Sequence, residues 1–233
     1  MSFYDREEKI LSILASDSPL SVKEIASKLF VSLPTVRRDL IKLERKGFIK
    51  RTHGGAEIRR DQADEKIPFA LRRDEQSEAK NEMAKRAAML VKDGDTVMLD
   101  GSTSAYCIIP YLKDKQNIIV ITSGAKASVL LGHLGIKNIS SGGKMINRSF
   151  SYVGADAAAT ISRYNADIAF FSCRGLSDEG IPSDNSAEEN DVRRAMMKQA
   201  RTKILLCDKS KFGKVYLNNL CTKDEIDEVI CDL

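Results

Sequence analysis

Residues 21–58, SVKEIASKLFVSLPTVRRDLIKLERKGFIKRTHGGAEI, place helix caps, apolar spacings and turn residues in an order that few folds can satisfy. Ser21-Val22-Lys23-Glu24 reads as a capping box, in which the Ser21 hydroxyl and the Glu24 carboxylate each accept a hydrogen bond from an otherwise orphaned amide. Ile25 and Leu29 supply the buried stripe of a first short helix, and Ala26 is small enough for a second helix to cross closely. Ser32 stands where it can cap that second helix, with Pro34 in the first turn, where a missing N–H costs little. Val36, Leu40 and Leu43 recur at i, i+4 and i+7, so one face packs inward. Thr35, Arg37, Arg38, Lys42 and Arg45 remain on the other face. The segment reads as a helix-turn-helix.

The residues that follow extend this motif. Gly47 ends the second helix, Phe48-Ile49-Lys50-Arg51-Thr52 alternates like a strand, His53-Gly54-Gly55 turns, and Ala56-Glu57-Ile58 returns. A basic strand pair beside such a helix is a wing. The plainer alternative is a helical hairpin with a solvated charged face. Capping box, turn, basic helix and wing in one continuous order favour a DNA-contacting module, its second helix reaching base edges and phosphates in a major groove. The expected contact set is Ser21 and Lys23 on the first helix, and Ser32, Leu33, Pro34, Thr35, Arg37, Arg38 and Lys42 on the second. The wing adds Arg51, His53, Gly54 and Gly55. Charge agrees: residues 1–60 hold 13 Lys and Arg against 8 Asp and Glu, while the whole chain carries only +4. The positive excess therefore lies where phosphates would be met.

A first helix over residues 4–16, with Ile10, Leu11 and Leu14 inward, completes a module expected to span 1–58. Residues 59–68, RRDQADEKIP, are charged and aperiodic and read as a linker. From Ala70 to Val91 the pattern is helical, with Met83, Ala87 and Leu90 on one side, so 59–74 is expected to hold the linker and the start of a coupling helix. Residues 75–233 form the second domain. There, short apolar strands at 96–100, 118–122, 137–140, 167–171, 203–208 and 228–231 alternate with helices at 103–113, 125–132, 155–164 and 187–201. That alternation implies a mostly parallel sheet covered on both faces. No apolar leader opens the sequence and no run reaches membrane-spanning length. Cys107, Cys207 and Cys231 sit in apolar runs, and the five cysteines lack CxxC spacing. They read as reduced thiols of a cytoplasmic protein, and with two histidines no metal site is expected.

In a parallel sheet, ligands sit beyond the carboxyl ends of the strands. Four polar loops fall there. Asp100-Gly101-Ser102-Thr103-Ser104 offers hydroxyls and amides at a helix start, which suits a phosphate. Thr122-Ser123-Gly124 repeats the arrangement. Ser141-Gly142-Gly143-Lys144 adds close backbone approach and a cation, and Asp208-Lys209-Ser210-Lys211 adds a carboxylate and lysines. Each alone is more often an ordinary helix start or a solvated charge; together they indicate a small phosphorylated sugar or polyol. The expected ligand set is Asp100, Gly101, Ser102, Thr103 and Ser104, then Thr122, Ser123, Gly142, Gly143 and Lys144, then Asp208 and Lys211. Glu188 and Glu189 divide evenly between ligand contact and helix-terminus charge, and Arg193, Arg194 and Lys198 between a solvated face, the pocket and a subunit contact.

VSLPTVRRDLIKLERKGFIKRTHGGA, followed by LDGSTS, VITSG, SGGK, YVGADA, ADIAFFSCRGL and LLCDKSKFG, resembles the DeoR family of bacterial transcriptional regulators over essentially the whole chain. The resemblance implies a winged helix-turn-helix joined to an effector domain similar in fold to ribose-5-phosphate isomerase. It also implies a regulator, usually a repressor, of a sugar or polyol operon, relieved by a phosphorylated sugar. By position it implies that Ser32, Thr35, Arg37 and Arg38 contact DNA, and that Asp100, Ser102, Thr103, Ser104, Asp208 and Lys211 surround the sugar phosphate. Ser123, Arg174 and Pro182-Ser183 depart from residues common in the family. Half-site geometry implies a homo-oligomer, a dimer or tetramer, on double-stranded operator DNA. The competing reading is a sugar-phosphate isomerase with a DNA-binding appendage. Isomerisation needs a positioned carboxylate base, and Ser172-Cys173-Arg174-Gly175-Leu176 supplies none, so no enzyme activity and no cofactor are expected.

Overall fold

A computed structural model describes residues 3–59 and 68–232. The chain forms two compact units, Met1–Glu75 and Gln76–Leu233. The expected linker at 59–68 lies outside the described residues for 60–67.

In the first unit, α1 (Phe3–Ser16), α2 (Val22–Leu29) and α3 (Leu33–Arg45) pack with a three-stranded antiparallel sheet. Its strands are β1 (Leu20–Ser21), β2 (Ile49–Thr52) and β3 (Gly55–Ile58), in the order β1-β3-β2. Ile10, Leu11 and Leu14 of α1, Ile25 and Leu29 of α2, and Val36, Leu40 and Leu43 of α3 form the core. The capping box at Ser21 is present: the Glu24 amide donates to the Ser21 hydroxyl at 3.2 Å and the Ser21 amide to the Glu24 carboxylate at 2.7 Å. Gly47, at φ +82°, closes α3 through two bonds, Gly47 N–H to Glu44 C=O at 2.8 Å and Phe48 N–H to Leu43 C=O at 3.1 Å. This is a Schellman ending, which a residue with a Cβ makes less readily.

Three features depart from the sequence expectation. Ser32 occupies the cap position of α3 but caps nothing, because its hydroxyl pairs with that of Thr35 at 2.8 Å. The wing gains β1, paired as Leu20↔Ala56 and Ser21↔Gly55. Gly55 is therefore a strand residue, and its missing Cβ leaves room for the Leu20 carbonyl. The helix expected over 70–91 is broken into α4 (Phe69–Asp74) and α5 (Ser77–Leu90), with Gln76 at φ +51°. Phe69, Ala70 and Leu71 are buried, and Leu71 joins the first unit's core, so that unit runs beyond residue 58.

The second unit is built on six parallel strands: β4 (Thr96–Leu99), β5 (Ile119–Thr122), β6 (Asn138–Ser140), β9 (Ala166–Ser172), β12 (Ala200–Leu206) and β14 (Glu228–Ile230). Their order is β14-β12-β9-β4-β5-β6. Period-2 alternation sends Val97, Leu99, Ile168 and Phe170 to a core with α5, and Met98 and Ala169 to a core with α8 (Ala155–Ile161) and α9 (Ala187–Gln199). Apolar cover on both faces is what buries a parallel sheet. Leu90 is 38% exposed; Ala84 and Ala88 bury instead, beside Met83 and Ala87. The helix expected at 103–113 shortens to α6 (Thr103–Tyr106) and a 3₁₀ turn, Ile109–Leu112, carrying Pro110. After α7 (Ala125–His133) and β6, an unanticipated hairpin, β7 (Lys144–Ile146) and β8 (Ser151–Val153), precedes α8. A small antiparallel sheet of β10 (Gly175–Leu176), β11 (Pro182–Asp184) and β13 (Asn218–Asn219) completes the fold. Cys107 is only half-buried, whereas Cys173, Cys207 and Cys231 are buried. Among the described residues no helix is long and apolar enough to cross a membrane.

Candidate functional site

In the first unit, α3 presents Ser32, Pro34, Arg37, Arg38, Lys42 and Arg45 as exposed residues, with Thr35 half-buried. Two residues of the expected contact set turn the other way: Leu33 packs against the core and Gly55 is buried. Lys23, Arg51, His53 and Gly54 are exposed and Ser21 is half-buried. Arg51 shares its charge with Glu44, at 3.6 Å, and Lys50 with Glu57, at 3.4 Å, so part of the wing's charge is balanced locally. Sequence reasoning missed Asp39. It is 2% exposed on the inner face of α3, accepting from Arg6 Nε at 2.7 Å and Nη2 at 3.3 Å. A carboxylate so buried requires a partner. The pair fixes α3 against α1 while leaving Arg37 and Arg38 directed outward.

In the second unit, the loops after β4, β5, β9 and β12 lie along the carboxyl edge of the sheet, and a buried charge network joins three of them. Asp100, 1% exposed, accepts from Ser102 N at 3.1 Å, Ser172 N at 3.2 Å and Arg193 Nε at 2.9 Å. Arg193 Nη1 also donates to Asp184 at 2.8 Å and to Asn190 at 2.9 Å. Burial disfavours the charge on the guanidinium, and Asp184 and Asp100 outweigh burial and hold its pKa above the ordinary value. Burial likewise pushes Asp184 up, and Arg193 outweighs it, leaving the carboxyl below its usual range. On the far side of Ser172, Lys211 Nζ donates to the Ser172 hydroxyl at 2.8 Å and pairs with Asp208 at 3.3 Å. Burial opposes ionisation of Asp208 too, but Lys211, Ser210 and Lys80 hold its carboxyl low. Ser172, absent from the expected set, bridges both clusters.

A small cavity of about 10 Å³, room for about one water molecule, lies beside this network, lined by Asp100, Gly101, Ser123, Arg193, Ser151, Tyr152 and Val153, with Glu189 and Val192 completing the wall. Of the expected ligand residues, Asp100, Gly101 and Ser123 line it. Gly101 has no Cβ because the Ser151 side chain of the hairpin occupies that space. Ser104 is 2% exposed and its hydroxyl has no hydrogen-bond partner. Thr103 is buried nearby, and Ser102 caps α6 by accepting from Ala105 N at 3.1 Å. The Thr122 hydroxyl accepts from Gly124 N at 3.0 Å, a structural duty. Gly142, Gly143 and Lys144 lie outside the cavity: Gly143 abuts the Val153 carbonyl, and Lys144 pairs with Glu188 at 3.0 Å.

Arg193 and Glu189 carry the charge that sequence reasoning left open. Both lie one helical turn apart on the stripe of α9 that buries Val192 and Met196, so charged residues at inward spacing were the available signal. Glu189 is 8% exposed and paired with Arg148 of the hairpin at 3.3 Å. Burial raises its carboxyl's pKa, but Arg193 and Arg148 bring it below the usual value. Arg194 instead donates to the Leu220 and Asn219 carbonyls, and Lys198 is exposed. Arg174 stacks over Tyr216 at 5.3 Å and pairs its backbone with Ser183, so the unusual residues at 174 and 182–183 belong to the small sheet.

The family described as the DeoR-like helix-turn-helix domain matches residues 6–62, and that described as the DeoR C terminal sensor domain matches residues 75–233. The chain is 32% identical over 231 residues to the HTH-type transcriptional regulator GolR of Listeria innocua serovar 6a, covering 98% of this chain and 90% of that protein. It is 31% identical to the L-fucose operon activator of Escherichia coli K12, covering 97% and 94%. Among solved structures, eIF2B delta from Chaetomium thermophilum superposes over 67% of this chain and 56% of that one, at TM-score 0.53 and 18% identity, a likeness of fold alone. Ribose 5-phosphate isomerase A from Methanocaldococcus jannaschii covers 59% and 55%, at TM-score 0.45 and 19% identity.

Proposed function

The chain belongs to the DeoR family of DNA-binding transcriptional regulators, and on that premise we propose how its two units divide the work. The α3 face enters a major groove, where Arg37 and Arg38 reach guanine edges or phosphates and Lys42, Ser32 and Thr35 contact the backbone. The wing, through Arg51, His53 and Gly54, follows the adjacent phosphates. Two copies of the chain place two such modules on symmetric half-sites in the cytoplasm, and the regulated operon handles a sugar or polyol, as with the L-fucose operon activator that the chain resembles. The protein acts as a regulator and not as an enzyme, in keeping with the regulator names of relatives that align over 98% of this chain.

The effector is a phosphorylated sugar that enters at the carboxyl edge of the parallel sheet. The observation that carries this reading is the buried network of Asp100, Asp184, Arg193, Ser172 and Lys211 beside a small cavity that Asp100 and Arg193 help to line. Carboxylates and hydroxyls recognise polyol hydroxyls, and buried cations with the orphaned Ser104 hydroxyl recognise an anion. With room for about one water molecule, the cavity is too small for a sugar phosphate. Entry of a sugar phosphate therefore requires the β7–β8 hairpin to move from α9, to which it is tied by Lys144–Glu188 and Arg148–Glu189. Effector and DNA are then linked through the two arrangements, each favoured only by differential affinity. A thermal-shift panel of phosphorylated sugars, the same sugars without phosphate, and inorganic phosphate tests the reading. One or a few sugar phosphates raise the melting temperature while the unphosphorylated sugars do not; a uniform response, or none, overturns it.

A further inference from the structure

Strands β9 and β12 pair in register, with Phe171 opposite Leu205 on the face that carries the smallest of the unit's apolar clusters. Two residues further along each strand, on the same face by the period-2 rule, stand Cys173 and Cys207. Their sulfurs lie 4.0 Å apart. A disulfide needs about 2.0 Å between sulfurs and Cα atoms roughly 4.4–6.8 Å apart. Neighbouring strands are spaced about 4.7–4.9 Å, so each sulfur has only about 1 Å to travel.

These thiols differ from inert core cysteines in their surroundings. Cys173 adjoins Ser172 and Cys207 adjoins Asp208, at the edge where the Lys211 and Arg193 cations pair with Asp208, Asp100 and Asp184. The Cys173 thiol is held below its ordinary range by its contact with Cys207, with Lys211 and Arg193 assisting against burial; Cys207 is pushed up by the same contact. Cys173, 6% exposed against 0% for Cys207, is the thiol that a peroxide meets first, and its thiolate is the form that reacts.

We propose that Cys173 and Cys207 form an oxidation site, a dithiol that a hydroperoxide converts to a disulfide joining the carboxyl ends of β9 and β12. The Cys173 thiolate attacks one peroxide oxygen, the O–O bond breaks, and a sulfenic acid and, after protonation, water result. Cys207 then attacks that sulfur, the S–O bond breaks, a second water leaves, and the S–S bond forms. Two thiols and hydrogen peroxide give one disulfide and two waters, the thiols supplying both electrons. The bond joins the strand ends that carry Ser172 and Asp208, so oxidation and the polar network above become coupled. The oxidation chemistry itself needs no effector bound.

The full chain, treated with hydrogen peroxide, alkylated and digested without reductant, tests this. Of the five free thiols, two are lost, a cross-linked peptide pair containing Cys173 and Cys207 appears in the mass spectrum, and dithiothreitol restores both thiols. Cys221→Ser, at the rim of the same cluster, still loses two thiols. Cys173→Ala and Cys207→Ala lose none through cross-linking, circular dichroism confirming that each is folded. The mapping in unmodified protein stands whether or not those variants fold. Retention of all five thiols, thiol loss without the cross-link, or a cross-link through a different pair overturns the proposal.

Discussion

Replacing Arg193 with Met removes the guanidinium that Asp100 and Asp184 share while keeping most of the side-chain volume. In the intact protein the three side chains are 2–9% exposed, so water cannot replace the lost partner. Removing one member of a buried, hydrogen-bonded ion pair costs about 3–5 kcal/mol, because the remaining charge is left unpaired. The unit concerned spans Gln76–Leu233, a size at which each kcal/mol moves the melting temperature by about 2–4 °C. The expected fall at neutral pH is therefore about 6–20 °C. Its pH dependence is the sharper test. In the wild type, Asp184 has a folded-state pKa below its unfolded value, so its contribution is present above about pH 4 and is lost as pH falls through the lower folded value. In the variant the attraction is gone and burial remains, so the lone carboxyl's pKa rises, and the variant loses stability as pH climbs from about 4 through that raised value. The gap between the two proteins is widest near pH 7.5 and narrows toward pH 4.5. Differential scanning calorimetry at both pH values decides it. A gap below about 2 °C at neutral pH, or one that does not narrow with acid, refutes the buried-network argument.

Arg38→Ala, on the exposed face of α3, weakens binding to a selected operator about 5- to 150-fold by fluorescence anisotropy and leaves the melting temperature unchanged. Wild-type affinity in this variant removes α3 from the interface. Gly55→Val drives a side chain into the Leu20 carbonyl, so the β1–β3 pairing is lost and the first unit is destabilised by about 1–3 kcal/mol. Urea unfolding of the variant reports it, and a midpoint equal to wild type refutes the close-approach account. Wild-type operator affinity falls linearly on a log–log plot against salt, and Arg38→Ala has the shallower slope if Arg38 meets a phosphate, the same slope if it meets a base.

The helix-turn-helix was legible because its signals are local. A capping box, a proline in the first turn and an i, i+4, i+7 apolar stripe act within a dozen residues, and Val36, Leu40 and Leu43 are all buried. The parallel sheet was legible for a related reason: strands covered on both faces must be apolar throughout, as Phe170 and Phe171 are. What escaped is set by tertiary partners. Nothing near Asp39 announces Arg6, thirty-three residues earlier. Leu71 looked like part of a continuous helix until the left-handed Gln76 broke it and sent Leu71 to the first unit's core. Lys144 of the β7–β8 hairpin was expected as a ligand cation, yet it pairs with Glu188 of α9, and Arg148, which carried no sequence signal, pairs with Glu189. The loops after the strands were correctly located as polar, yet Thr122 and Gly143 serve the backbone, while Arg193 and Ser172, drawn from a helix and a strand end, organise the charge.

The claim that links both units is that a sugar phosphate at the sheet edge and DNA at α3 change each other's affinity. The direct measurement titrates the full chain with fluorescent operator at fixed salt, with and without the sugar phosphate that raises the melting temperature, and repeats the sugar titration with and without operator. The account predicts that each ligand alters the Kd of the other by one common factor, about 5- to 150-fold, as linkage requires. A sugar phosphate that binds tightly yet leaves the operator Kd where it was would contradict it.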